Sequence, residues 1–126
     1  MKSVDVPSLD HDAMMLSRFG HKVSPQGRLE RRIVANLIAH MERAGWKTLM
    51  VDDGDEETEA VDMKSAMEVI FNLDECWLYF GNEHGTHGVY LTLGEGTTLV
   101  CDWRYSEGDA DGFNAAMEAF DAEEFA

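Results

Sequence analysis

Between Glu75 and Tyr105 three short runs rich in aliphatic and aromatic residues follow in quick succession, Glu75 to Phe80, Val89 to Leu93 and Thr98 to Tyr105. The glycine-rich stretches Gly81 to Gly88 and Gly94-Glu95-Gly96 separate them. Short runs of this composition bounded by glycine clusters read as strands, and connections this short join antiparallel neighbours, so the pattern predicts a three-stranded meander. Trp46 to Val51 reads as a fourth strand.

Helical periods surround the meander. After Ser24-Pro25, the set Leu29, Ile33, Leu37, Ile38, Met41 and Ala44 recurs at spacings of three and four, with Arg28, Arg31, Arg32, Asn36 and Arg43 on the other side and Gly45 as a stop. Asp62 can cap a second helix with Met63, Ala66, Met67, Ile70 and Phe71 inward. Asp111 to about Glu123 forms the last, with Phe113, Ala116, Met117 and Phe120 on one side. The order α-β-α-β-β-β-α predicts an α+β fold: an antiparallel sheet of about four strands with helices packed on one face. Residues 1 to 24 keep no period and read as a loose amino-terminal arm, leaving 25–126 as a single domain.

Alternation assigns faces. Cys76, Leu78 and Phe80 share a side with Val89, Leu91 and Leu93, and that side should receive the helices. The opposite side collects Trp77, Tyr79, Tyr90, Thr92, Leu99, Cys101, Trp103 and Tyr105. Five aromatics there are either covered by another part of the chain or form a contact surface, since Trp and Tyr dominate interface energetics.

Charge is segregated along the chain. Residues 1 to 47 hold eight Lys and Arg against five carboxylates, a net +3, and residues 48 to 126 hold two against twenty, a net −18. An overall charge of −15 would repel phosphates, which argues against direct binding to nucleic acid. Asp52, Asp53, Asp55, Glu56, Glu57 and Glu59 form an acidic run too charged to be buried. Neither a membrane span nor a secretory segment is legible, and a cytoplasmic location is expected. Cys76 and Cys101 lack Cys-x-x-Cys spacing and are expected to stay reduced in apolar surroundings.

Catalytic signatures are weak. Gly-x-Ser-x-Gly, phosphate-binding and dinucleotide motifs are missing. His84 and His87 beside Glu83 have the residue types of a three-ligand zinc site, so a metal-dependent enzyme or metal-binding domain is one alternative. Glu107-Gly108-Asp109-Ala110-Asp111-Gly112 with Glu118 partly fits a calcium loop, but the carboxylates are explained more simply as the capping turn of the last helix. The chain therefore reads as no enzyme, with no cofactor and no resident metal.

Six segments carry a resemblance: Arg28 to His40, Ala44-Gly45-Trp46, Val51 to Glu57, Phe71 to Glu75, His87-Gly88-Val89 and Asp111 to Phe120. Together they resemble a group of small acidic hypothetical proteins carried on plasmids and phages of proteobacteria. The resemblance spans roughly residues 28 to 120 and transfers no residue role. It implies a mobile-element setting, where small acidic inhibitors of host restriction or CRISPR-type defence proteins are frequent.

The expectation is thus an acidic, nucleic-acid-mimicking binding protein whose partner is a host protein with a basic surface. Asp52, Asp53, Asp55, Glu56, Glu57 and Glu59 would meet that partner, together with Trp77, Tyr79, Tyr90, Trp103 and Tyr105. A homodimer or larger scaffold assembled through the aromatic sheet face is the further alternative.

Overall fold

The computed structural model of the protein describes residues 25–108 and 110–126, and in 105–107 the backbone alone. The arm expected over residues 1 to 24 lies outside the described residues, as does Asp109.

Helix α1, Pro25–Arg43, starts on a proline, whose fixed φ suits the first helical turn. It stops before Gly45, which takes the left-handed φ of +93° that closes a helix with little strain. Strand β1, Lys47–Asp52, follows, and then β2, Glu57–Glu59. Helix α2, Met63–Ile70, opens on a capping box in which the Asp62 carboxylate accepts the Ser65 N–H at 2.8 Å. Strands β3, Glu75–Asn82, β4, Gly85–Thr92, and β5, Val100–Gly108, precede helix α3, Ala110–Glu118.

The sheet is antiparallel throughout, in the order β2-β1-β3-β4-β5. The fold is α+β as the sequence predicts, with five strands in place of four because Glu57–Glu59 returns along β1. The β3–β4 connection is also tighter than expected. Pairing runs to Asn82 opposite Gly85, leaving only Glu83 and His84 as the turn.

On the helix-covered side Cys76, Leu78, Phe80, Val89 and Leu91 join Ile33, Leu37, Ile38, Met41, Met67, Ile70 and Phe113 in one core. Each fully buried aliphatic side chain contributes about 1.5–3 kcal/mol relative to exposure. Phe113 sits at the centre, 5.2 Å from the Trp46 ring and 4.7 Å from that of His87.

Two expectations need correction. Arg31 and Asn36, expected on the outer side of α1, are buried, whereas Arg28, Arg32 and Arg43 are exposed. The helix is enclosed more widely than one stripe allows, since α2, β1, the 3₁₀ turn Gly96–Thr98 and the tail segment Ala122–Phe125 all lie against it. The Arg31 guanidinium stacks over Phe71 with Cζ 4.9 Å from the ring centroid. Buried Glu30 accepts the Gly94 N–H at 2.9 Å and the Gly96 N–H at 2.7 Å, which fixes the β4–β5 turn to α1.

The second correction concerns β5. Tyr90 pairs with Asp102 but Leu91 with Val100, so Cys101 is an extra residue and the facing reverses there. Leu99, expected on the open side, precedes the strand and closes the 3₁₀ turn Gly96–Thr98, and there it is fully buried in the core. Trp103, paired with Val89, turns to the helix side, where its indole N–H donates to Asn114 Oδ1 of α3 at 3.0 Å. Cys101 is exposed on the open side rather than sheltered, its sulfur 2.9 Å from Thr92 Oγ1, and both cysteines are free.

Candidate partner-binding surface

The turn between β1 and β2 is built on its own carboxylates. Asp52 Oδ1 accepts the Gly54 N–H at 2.8 Å, and Asp53 Oδ1 accepts those of Asp55 at 2.8 Å and Glu56 at 2.7 Å. Those backbone donors hold the Asp53 carboxyl below the usual aspartate range, so it stays ionised well into acid. Asp53, Asp55, Glu56, Glu57 and Glu59 are exposed and Asp52 is half-buried.

Strand directions bring further acids to the same end of the sheet. Asp52 closes β1 opposite Trp77, two residues from the start of β3, so the acidic turn lies beside Asp74 and Glu75. Glu95 in the β4–β5 turn and Asp102 near the start of β5 fall at that end too. The exposed Glu123 and Glu124 belong to the tail segment that packs on the 3₁₀ turn Gly96–Thr98. Among the described residues the one ion pair is His84 with Glu83, at 3.4 Å, at the opposite end. Arg32 Nε–H donates to the Phe125 carbonyl oxygen of the tail at 3.0 Å. No described Lys or Arg is thus ion-paired with the acids at this end.

This charge reaches inward. Burial pushes the Cys76 thiol up to about 12, and the neighbouring Asp52 and Asp53 carboxylates add to the shift by disfavouring a thiolate.

The second feature is the sheet face turned away from the core. The described helices pack against the other side, and this one carries two cross-strand rows. One runs Glu57, Asp52, Trp77, Tyr90, Asp102 and the next Glu59, Met50, Tyr79, Gly88, Arg104. Trp77 and Tyr90 lie with ring centroids 5.0 Å apart, and the Tyr90 hydroxyl donates to Glu75 Oε2. That bond to an anion, with smaller contributions from desolvation and charge, raises the Tyr90 pKa. The Arg104 guanidinium lies 4.1 Å from the Trp77 centroid and donates to the Tyr79 hydroxyl. Gly88 is what admits these rings: a Cβ there would stand 3.0 Å from Tyr79 Cε1 and 3.2 Å from Trp77 Cε3.

Of the aromatics expected on this face, Trp77, Tyr79 and Tyr90 share it and Trp103 does not. Tyr105 pairs with the backbone of His87, and its side chain lies outside the described residues. Sequence reasoning missed Arg104 and Asp102. Their placement depends on the extra residue at Cys101, and a bulge of this kind carries no glycine to announce it.

The histidine pair does not converge. His84 is exposed in the β3–β4 turn, whereas His87 is fully buried, its ring 5.1 Å from that of Trp46. Among the described residues no three His, Cys, Asp or Glu side chains gather as a metal site. In the partial calcium motif, Asp111 occupies the first turn of α3 and Glu118 accepts from Asn114 Nδ2 at 3.1 Å. No described helix is long and apolar enough to cross a membrane. Compared with protein-family models, curated proteins and solved structures, the chain matches none.

Proposed function

We propose that this chain is a non-enzymatic binding protein that docks on the basic, nucleic-acid-binding surface of another protein, with its carboxylates standing where phosphates would lie. One observation carries the reading. The acids of the β1–β2 turn, the start of β3 and the β4–β5 turn share one end of the sheet, and none of them is paired with a described Lys or Arg. Clustered charge of one sign steers an oppositely charged partner into contact and makes the complex salt-sensitive. The resemblance to small acidic proteins of mobile elements makes a host defence protein the first partner to test.

Full-length chain immobilised at low salt should capture a nucleic-acid-binding protein from host lysate and release it when salt is raised or duplex DNA is added. A variant with Asp53, Asp55, Glu56 and Glu57 changed to their amides should lose the capture. Capture that DNA does not displace, or that survives the amide changes, contradicts the proposal.

A further inference from the structure

The sheet face turned away from the described helices has a chemistry of its own. Its central row places two packed aromatic rings, Trp77 and Tyr90, tilted 39° to each other, between two carboxylates, Asp52 on β1 and Asp102 on β5. With strands about 4.8 Å apart, the four residues form a strip roughly 14 Å long, acidic at both ends and aromatic in the middle. Asp52 and Asp102 each commit Oδ1 to a backbone N–H, of Gly54 and Trp103, and the second oxygen of each accepts no hydrogen bond from a described residue.

An occupant of known chemistry already lies on the strip. The Arg104 guanidinium stacks on Trp77 and sits 5.6 Å from the Tyr79 centroid. A planar, weakly hydrated cation fits such a ring face and can donate in its own plane to flanking carboxylates. An ammonium lacks that geometry.

We propose that this face is a docking surface for an arginine-bearing segment of a protein partner, which lays guanidinium groups on the Trp77–Tyr90 pair between Asp52 and Asp102. Arg104 is the internal stand-in that an incoming arginine displaces or joins. The inference rests on the reading of a basic protein partner and adds to it the preference for arginine over lysine.

Calorimetric titration of the full chain with a nine-residue oligo-arginine and a nine-residue oligo-lysine, at equal salt, separates the two ideas. Arginine should bind about fivefold tighter, the ratio a cation–π contact supplies. Trp77→Leu should bring that ratio close to one while leaving the lysine affinity in place. Tyr90→Leu provides the same test should the tryptophan variant fail to fold, and Arg104→Gln should widen the ratio by freeing the ring. Equal affinities in the parent chain, or a ratio that both leucine variants leave intact, overturn the docking surface and spare the broader acidic reading. Failure of both peptides to bind overturns both. Self-association in sedimentation that Trp77→Leu abolishes assigns the face to a second copy and also refutes the inference.

Discussion

The two faces of one sheet are made from alternate residues of the same strands and behave as different materials. On the covered side Leu78, Phe80, Val89 and Leu91 meet three helices and are fully buried. On the side away from the described helices their chain neighbours Trp77 and Tyr90 shield each other in part, with Arg104 and the edge carboxylates around them. The covered face loses contacts in every direction when a side chain is cut back, so it carries stability. The other face holds its rings with no described helix above them, and its side chains are available to a further partner.

The sharpest contrast should come from Phe113→Ala, which removes the ring that joins Trp46, Phe80 and His87. We expect a loss of about 3–5 kcal/mol in urea unfolding, against little change for Tyr90→Leu on the opposite face. Comparable losses at the two positions would break the division between faces.

Next comes Glu30→Gln. Its carboxylate is buried and accepts the Gly94 and Gly96 amides, so an amide in its place should cost roughly 2 kcal/mol and loosen the β4–β5 turn. Hydrogen exchange at those two amides should accelerate relative to the rest of the sheet. Unchanged protection would show that the turn is held by its own backbone.

The cysteines give a comparison across the sheet within one molecule. Cys76 is buried with a thiol pushed up to about 12, and Cys101 is exposed on the open side. In the native protein at pH 8, an alkylating reagent should modify Cys101 and spare Cys76. The sign of the linked stability follows. Unfolded Cys76 ionises near pH 8.5 while the folded thiol stays protonated, so stability falls as pH rises from about 9 toward 12, by up to about 1.4 kcal/mol per unit. A flat profile through that window, once other titrations are matched by a Cys76→Ser control, would contradict the burial.

The smallest effect on stability should attend neutralisation of the β1–β2 turn away from Asp53, as in Asp55→Asn with Glu56→Gln and Glu57→Gln. These side chains are exposed and make no ion pair with a described residue. The unfolding midpoint should stay within about 0.5 kcal/mol. Asp53 itself differs, because its depressed pKa comes from bonds to Asp55 and Glu56. The order it lends the turn is present above the unfolded aspartate pKa and lost as pH falls through the lower folded one.

Much of this architecture was legible because alternation and helical period are local signals. Asp62 capped its helix, Gly45 ended another, and Trp77 and Tyr90 met across β3 and β4 as their parity requires. The extra residue at Cys101 was not legible, and it moved Trp103 to the core side and brought Arg104 onto the open one, while Leu99 is buried as the residue that closes the 3₁₀ turn. A single unmarked insertion in one ladder reverses every side chain beyond it. The burial of Arg31, Asn36 and His87 was hidden for another reason. It depends on neighbours distant in sequence, such as Phe71 for Arg31 and Phe113 for His87. Charge segregation could be counted from sequence, but its collection at one end of the sheet needed the strand order.

The most direct measurement of the central claim is competition at fixed salt between duplex DNA and the full-length chain for one host nucleic-acid-binding protein. The account requires mutual exclusion: the apparent affinity of the chain weakens in proportion to added DNA, and the Asp55, Glu56 and Glu57 amide variant competes poorly although it folds as well. A ternary complex of DNA, host protein and chain, or undiminished competition by that variant, would contradict it.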